Sequence, residues 1–360
     1  MISFWVNAAG SFGMEQYLLQ RAPDLADRIQ LRSYESLSPE LEVTDGAHIF
    51  SALDQLSPGG REALAALYDG IAERCPGARL LNDPRRVLLR YDLLARACDE
   101  GINRFRAYRA IAADAARFPV FLREESGHTG ALTRLLKNRS ELASAIVALR
   151  VRGYRIADLL VVEFCDLSDS EGRVRMASAY KVGDRIVPAF LLGGRRWMLK
   201  WTDSDHDERA MQEFLEYVGG NPHESWLRRM FALAGVDYGR IDYGVCGEER
   251  QLWEINLNPT VGPSGGPPPA PLAPKLEAML QEGRRVYLNG MREAFRALDP
   301  ECGSSRVTLR LDPDLLAPLR LHSARTLRRR GALRLLQRVY RHPQLGWPFR
   351  AAYSWLMPRP

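Results

Sequence analysis

The stretch Leu252-Trp253-Glu254-Ile255-Asn256-Leu257-Asn258-Pro259 decides how this chain reads. Alternation places Trp253, Ile255 and Leu257 on one face of a strand and Glu254, Asn256 and Asn258 on the other. The apolar face predicts a strand lying on a core. The polar face carries a carboxylate and two amides, oxygen donors that a hard cation such as Mg²⁺ takes alongside phosphate oxygens. Upstream, Ile241-Asp242-Tyr243-Gly244-Val245 predicts a second short strand with one acid among apolar neighbours. Gly247-Glu248-Glu249 supplies a turn, so the pair is expected to form a hairpin that sets Asp242 beside Glu254 and Asn256. A bare Glu-x-Asn would be an ordinary edge strand with a polar outer face. The longer run, with an acid on the paired strand, favours a metal site.

Composition bounds the rest. A chain of 360 residues is long enough for two or three lobes, each with its own core. Hydrophobic content of 46% and charged content of 26% are ordinary for a soluble globular protein. No apolar run reaches membrane-spanning length, and Met1–Val6 reads as a strand without a basic leader. Cys75, Cys98, Cys165, Cys246 and Cys302 are odd in number and far apart. They fit reduced thiols and a cytoplasmic location better than a disulfide framework or a zinc site. From Glu301 to Pro360 there are twelve arginines against three acids, a balance of +9; the whole chain is +6, which leaves −3 for residues 1–300. The basic character therefore belongs to a tail. Lysines are only four, Lys137, Lys181, Lys200 and Lys275, so arginine can stand where lysine is usual.

Along the chain, Ile2–Val6, Met14–Gln20, His48–Leu53, Gly60–Cys75 and Ala78–Leu81 alternate between strand and helix, the pattern of a small α/β lobe. Residues 85–117 are expected to be helical, pausing at Gly101. Pro119–Arg123 predicts a strand, Glu124–Gly130 a loop, Ser140–Arg150 a helix capped by Ser140, and Leu159–Phe164 a buried strand. Arg173–Val182 and Arg185–Leu192 predict a hairpin about Gly183-Asp184, and Glu208–Val218 and Glu224–Ala234 predict helices. Pro259–Pro274 is too rich in Pro and Gly for regular structure, and Lys275–Leu298 is a helix.

The order of these elements, ending in Glu254-Ile255-Asn256-Leu257-Asn258-Pro259 with Asp242 on the preceding strand, resembles the ATP-grasp superfamily over roughly residues 80–260. The resemblance implies an α+β fold, two lobes clasping ATP. A small α/β pre-ATP-grasp domain (1–80) would precede the nucleotide- and metal-binding domain (81–260). A Pro/Gly loop with a helix (261–300) and a basic helical extension (301–360) would follow. It implies Asp242, Glu254 and Asn256 as ligands of one or two Mg²⁺ ions, with Arg123, Lys181 and Lys200 as the catalytic cations that neutralise phosphate. Arg123 stands where the family carries a lysine, and its planar fork is not equivalent to an ammonium. His128, in a loop between Gly127 and Gly130, would add a phosphate donor. Glu163, Phe164 and Cys165 would form the adenine hinge, with Asp166 or Asp169 near the ribose, although Glu163 could equally be a buried acid paired with an arginine. Leu93 in Arg90-Tyr91-Asp92-Leu93 replaces a further lysine.

The implied activity is an ADP-forming, ATP- and Mg-dependent ligation, in which a carboxylate becomes an acyl phosphate and an amine displaces phosphate. Small molecules or a peptide would supply the two groups. Two alternatives stay open, a kinase of the same fold and a nucleotide-binding module with a degenerate site. In the tail, Leu315, Leu316, Leu319, Leu333, Leu336 and Val339 recur at helical spacing among Arg328, Arg329, Arg330, Arg334 and Arg338. That pattern suits docking on an anionic partner or a second copy, or a helix packed on the body by its leucines.

Overall fold

The computed structural model describes residues 1–128, 130–262, 271–299 and 305–319. The first lobe is built on β1 (Ile2–Val6), β2 (Ile29–Ser33), β4 (Ala47–Phe50) and β5 (Arg79–Leu81), parallel in the order β2-β1-β4-β5. β1, apolar except for Ser3, is buried on both faces, as a strand inside a parallel sheet must be. Ile2, Phe4 and Val6 pack with Met14 and Tyr17 of α1 (Phe12–Gln20), while Trp5 and Phe50 pack with Leu64, Leu67 and Ile71 of α2 (Pro58–Arg74). Ser57 caps α2 by accepting from the Gly60 N–H, with Pro58 at its first turn.

The small lobe consists of β6 (Ala107–Arg109), β7 (Val120–Glu124) and β8 (Leu159–Glu163), antiparallel in the order β6-β8-β7. Its sheet is covered on one face by α4 (Arg139–Val151), whose Leu142 and Leu149 meet Val120, Leu122, Leu159 and Val161. On the opposite face Leu160 and Val162 meet Leu94 and Phe105. Two expectations are corrected here. Residues 85–117 are not one helical stretch: α3 covers only Arg90–Asp99. Gly101, at φ +69°, turns the chain, and the Asn103 amide pairs with both the N–H and C=O of Leu252 at 2.8 Å. That cross-link pulls the chain out of helical geometry and into β6. The cap of α4 is Asn138, whose Oδ1 accepts from the Glu141 N–H at 3.0 Å, and not Ser140.

The large lobe carries β9 (Val174–Val182), β10 (Arg185–Gly194), β11 (Tyr238–Cys246) and β12 (Glu249–Asn256), antiparallel in the order β10-β9-β11-β12. One face of this sheet, with Ala177, Ala179, Ile241, Tyr243 and Leu252, lies under α5 (Glu208–Gly220) and α6 (Glu224–Ala234) through Met211, Phe214, Leu227 and Phe231. On the other face, Tyr180, Val182 and Tyr238 meet Phe4 of the first lobe and Tyr287 and Phe295 of α7 (Pro274–Leu298). Moving along β9 on that face, Ser178 and then Met176 pass from the first lobe towards the small lobe. The functional face of the sheet thus lies between the two smaller lobes.

Asn82 stitches the first lobe to this sheet. Fully buried and at φ +65°, it donates to the carbonyls of Phe50 and Tyr238 and accepts from the N–H groups of Asp237 and Tyr238, all between 2.8 and 3.1 Å. The start of the basic tail is also part of the body. β13 (Arg306–Arg310) pairs antiparallel with β3 (Glu40–Thr44), and Leu309, Leu316 and Leu319 are buried. Of the two readings of the tail, residues 305–319 follow the one in which leucines pack it on the body, although it begins as a strand and not as a helix. The arginine cluster Arg328–Arg338, Leu333, Leu336, Val339 and residues 263–270 of the Pro/Gly loop lie outside the described residues, as does Cys302. Cys75, Cys98, Cys165 and Cys246 are free thiols. Among the described residues no helix is long and apolar enough to cross a membrane.

Replacing Asn82 by Ala removes four partners from buried or half-buried backbone groups and leaves at positive φ a residue less suited to that conformation than Asn. Each orphaned group costs about 1–3 kcal/mol, so urea unfolding of Asn82→Ala should show a loss of at least about 3 kcal/mol. An unchanged midpoint would mean the lobes are joined by other contacts.

Candidate active site

Asp242 and Glu254 are direct partners in the β11–β12 ladder, as the hairpin reading requires. The register then slips: Tyr243 pairs with Leu252, so Trp253 is an extra residue, a β-bulge. The bulge corrects the expected alternation. Leu252 joins the core face with Ile255 and Leu257, while Trp253 turns into the cleft beside Glu254. Gly244 makes room for it; a β-carbon there would sit 2.5 Å from the Trp253 ring and 2.3 Å from Leu167.

The cleft is a cavity of about 590 Å³ bounded by both lobes. Phe121, Phe164, Trp197, Trp201 and Trp253 wall its apolar part, and Trp197 of the large lobe lies 5.2 Å from Phe121 and 5.9 Å from Phe164 across it. Arg123, Arg240, Asp242 and Glu254 form its polar end. An apolar slot that ends in a few convergent charges has the anatomy of a small-ligand site.

The electrostatics of that end are set by three arginines. Arg240, two residues before Asp242 and on the same strand face, grips it through both guanidinium arms at 2.8 and 2.9 Å. Ser178 of β9 donates to the same carboxylate. Arg90, at the start of α3, reaches Glu254 Oε2 at 2.9 Å, and Arg123 at the end of β7 reaches the same oxygen. Burial alone would raise the pKa of Glu254, but Arg123 and Arg90 overcome it and hold the carboxyl well below the usual range. The guanidinium of Arg240 is pushed the other way by its neighbours: burial would lower it, and Asp242 raises it.

Among the described residues no cluster of three or more His, Cys, Asp or Glu forms. The donor set here is smaller: two carboxylates in register and, two residues beyond Glu254, the Asn256 amide, whose Oδ1 accepts from the Asn258 N–H at 2.9 Å. Two hard carboxylates plus an amide oxygen fit Mg²⁺ when phosphates complete the shell. Asp242, Glu254 and Asn256 would hold such an ion, and it would neutralise charge building on a transferred phosphoryl group.

The other expected site residues divide. Arg123, His128, Glu163, Phe164, Cys165 and Lys200 line the cavity. His128 lies 3.3 Å from Asp54 of the first lobe, which ties the glycine loop to that lobe. Lys181 does not reach the cleft. Strand alternation puts it on the face of Ala177 and Ala179, opposite Ser178, and it pairs with Asp237 at 2.9 Å. Asp166 accepts from the Ser168 N–H, and Asp169 from Glu171 and Arg173; both shape turns outside the cavity. The Phe164 N–H is spent on the Pro119 carbonyl at 2.9 Å, so a base cannot take it without breaking that bond.

Glu163 is a buried acid that also lines the cavity. Its backbone borders the cavity, while its carboxylate accepts from Arg117 and from the N–H groups of Arg106 and Arg117. Burial pushes its pKa up, and the bonds from Arg117 and the backbone outweigh that and lower it. A lowered folded pKa means stability that is present above the ordinary carboxylate value of about 4.3 and lost as pH falls through the folded value. Glu163→Gln should therefore cost about 1–3 kcal/mol at neutral pH, a cost that shrinks below about pH 4. Unfolding midpoints across pH check this; a cost independent of pH would mean the charge is not what matters.

Arg90 and Arg240 are the functional residues that sequence reasoning missed. Arg240-x-Asp242 was legible as two charges on one strand face. Arg90 sits 164 residues from Glu254, and only the fold joins them.

No family model and no curated protein matches the chain. Among solved structures it is similar to a D-alanine–D-alanine ligase from Helicobacter pylori (14% identity over 84% of this chain and 99% of that one, TM-score 0.44). It is also similar to an ATP-grasp RimK domain protein from Sphaerobacter thermophilus (16%, 82% and 98%, TM-score 0.43). A D-alanyl-alanine synthetase A from Vibrio cholerae matches at 12% identity over 82% and 97%, with a TM-score of 0.45.

Proposed function

We propose that the protein is an ATP- and Mg²⁺-dependent, ADP-forming ligase that activates a carboxylate as an acyl phosphate for attack by an amine. The observation that carries this is the pairing of Asp242 with Glu254 at the end of an aromatic cleft, ringed by Arg90, Arg123 and Arg240. Phosphoryl transfer needs positioned cations more than it needs a nucleophilic side chain, and the site supplies cations in excess. The base would lie in the apolar part near Glu163, Phe164 and Cys165, and the triphosphate would reach Arg123, His128 and Lys200. Asp242, Glu254 and Asn256 would hold the metal. The acid and the amine would be small molecules or a peptide.

Incubation with ATP, Mg²⁺ and pooled acids and amines, followed by phosphorus NMR, should give ADP and phosphate only when both pools are present. ADP with a phosphorylated product would make the protein a kinase, and AMP with pyrophosphate would overturn the reading.

Asp242→Asn and Glu254→Gln should each lower ATP turnover by about 10²-fold or more. They should also lose stability, since each leaves buried arginines without their counter-charge. Asn256→Ala keeps those ion pairs and should lower turnover with a smaller stability loss. Mg²⁺-dependent turnover unchanged in all three would remove the metal assignment.

A further inference from the structure

Arg90 belongs to no part of the site that the sequence suggested, yet it is 7% exposed and touches two of its segments. One of its nitrogens, Nη1, donates to the carbonyls of Glu124, Glu125 and Gly127, in the loop that covers the phosphate end. The other, Nη2, holds Glu254. Arg123, 8% exposed, converges on the same carboxylate oxygen from β7. After these bonds the Nε–H groups of both arginines are still buried without a partner. A buried N–H donor left over is costly, and that of Arg123, which lines the cleft, calls for an anion with several oxygens. Glu254 alone does not satisfy it.

The same arrangement bears on the cation. A divalent ion approaching Glu254 in the free protein meets two buried guanidinium groups already on that carboxylate, and a third on Asp242. Like charges at such separations repel strongly where solvent is excluded. A triphosphate changes the balance, because its oxygens give the arginines a second partner and bring ligands for the ion. We propose that Arg90 and Arg123 withhold Glu254 from free Mg²⁺, so that the metal enters only with a triphosphate that draws Arg123 off the carboxylate. Arg90 stays on the loop carbonyls throughout and is a positioning residue, fixing the position of Glu254 relative to the loop. This rests on the metal and nucleotide assignment proposed above.

Mn²⁺ in place of Mg²⁺ allows a test without turnover, by electron paramagnetic resonance on the full chain. Wild-type protein should bind Mn²⁺ at least about tenfold more weakly alone than with a non-hydrolysable ATP analogue, after correction for Mn²⁺ bound by the analogue itself. Arg123→Gln should bind Mn²⁺ without nucleotide about tenfold more tightly than wild type. Arg123→Lys, which keeps a cation with one arm, should fall between them and serves where the Gln variant folds poorly by circular dichroism. Arg90→Gln should also gain Mn²⁺ binding, and Arg90→Lys should restore the wild-type behaviour in part, which a purely structural role would not do. Nucleotide-free binding that is equal in wild type and Arg123→Gln overturns the withholding role alone. Absence of Mn²⁺ binding in every variant, even with the analogue bound, overturns the metal assignment and this proposal together.

Discussion

Arg90 and Arg123 hold the Glu254 carboxylate ionised against the effect of burial, and the rest of the site follows from that constraint. An ion removed from water costs several kcal/mol unless it is paired and hydrogen-bonded. Its partners come from α3 and from β7, so three separate segments must be brought together before the charge is satisfied. Asp242 repeats the solution locally, with Arg240 two residues away on its own strand and Ser178 on the next. Removing either carboxylate leaves buried guanidinium groups without their counter-charge, so the network is costly to alter there.

The geometry around these ion pairs depends on one irregularity. A regular β12 would put Trp253 into the core and leave the cleft without its aromatic floor. The bulge opposite Asp242 and Tyr243 resets the alternation by one residue, so Trp253 and Glu254 both face the cavity while Leu252 remains in the core. Asn103 fixes the same place from the small-lobe side by pairing with the backbone of Leu252. Asn258 fixes it from the first lobe, donating to the Gly10 carbonyl and accepting from Ser51. The strand that carries Glu254 and Asn256 is therefore held by all three lobes, and a displacement of any of them is felt at Glu254.

Arginine does much of the work that lysine is expected to do. Lys181 is on the wrong strand face to help, Leu93 is buried in the core, and Arg123 is tied to Glu254. A guanidinium can hold a carboxylate with one arm and a carbonyl or phosphate with another, which an ammonium does less specifically. Arg90 uses that property on the loop and on Glu254 at once. The site is thus built around branching cations, and Arg90, Arg123 and Arg240 are each held on a carboxylate in the free protein.

Local sequence determined most of the strands and helices, the hairpin that pairs Asp242 with Glu254, and the oxygen-rich face that suits a hard cation, because alternation and turn chemistry act over a few residues. It did not show that Asn82 joins two lobes. Tertiary structure alone decided which side Trp253 takes, since a bulge is fixed by the partner strand and by the space above Gly244. It decided that Lys181 faces away, that residues 101–109 are pulled out of a helix by Leu252, and that Arg306–Arg310 pairs with β3. Above all it brought Arg90 to Glu254 across 164 residues of chain: no periodicity spans such a distance, and only the packing of the lobes brings the two charges within 2.9 Å.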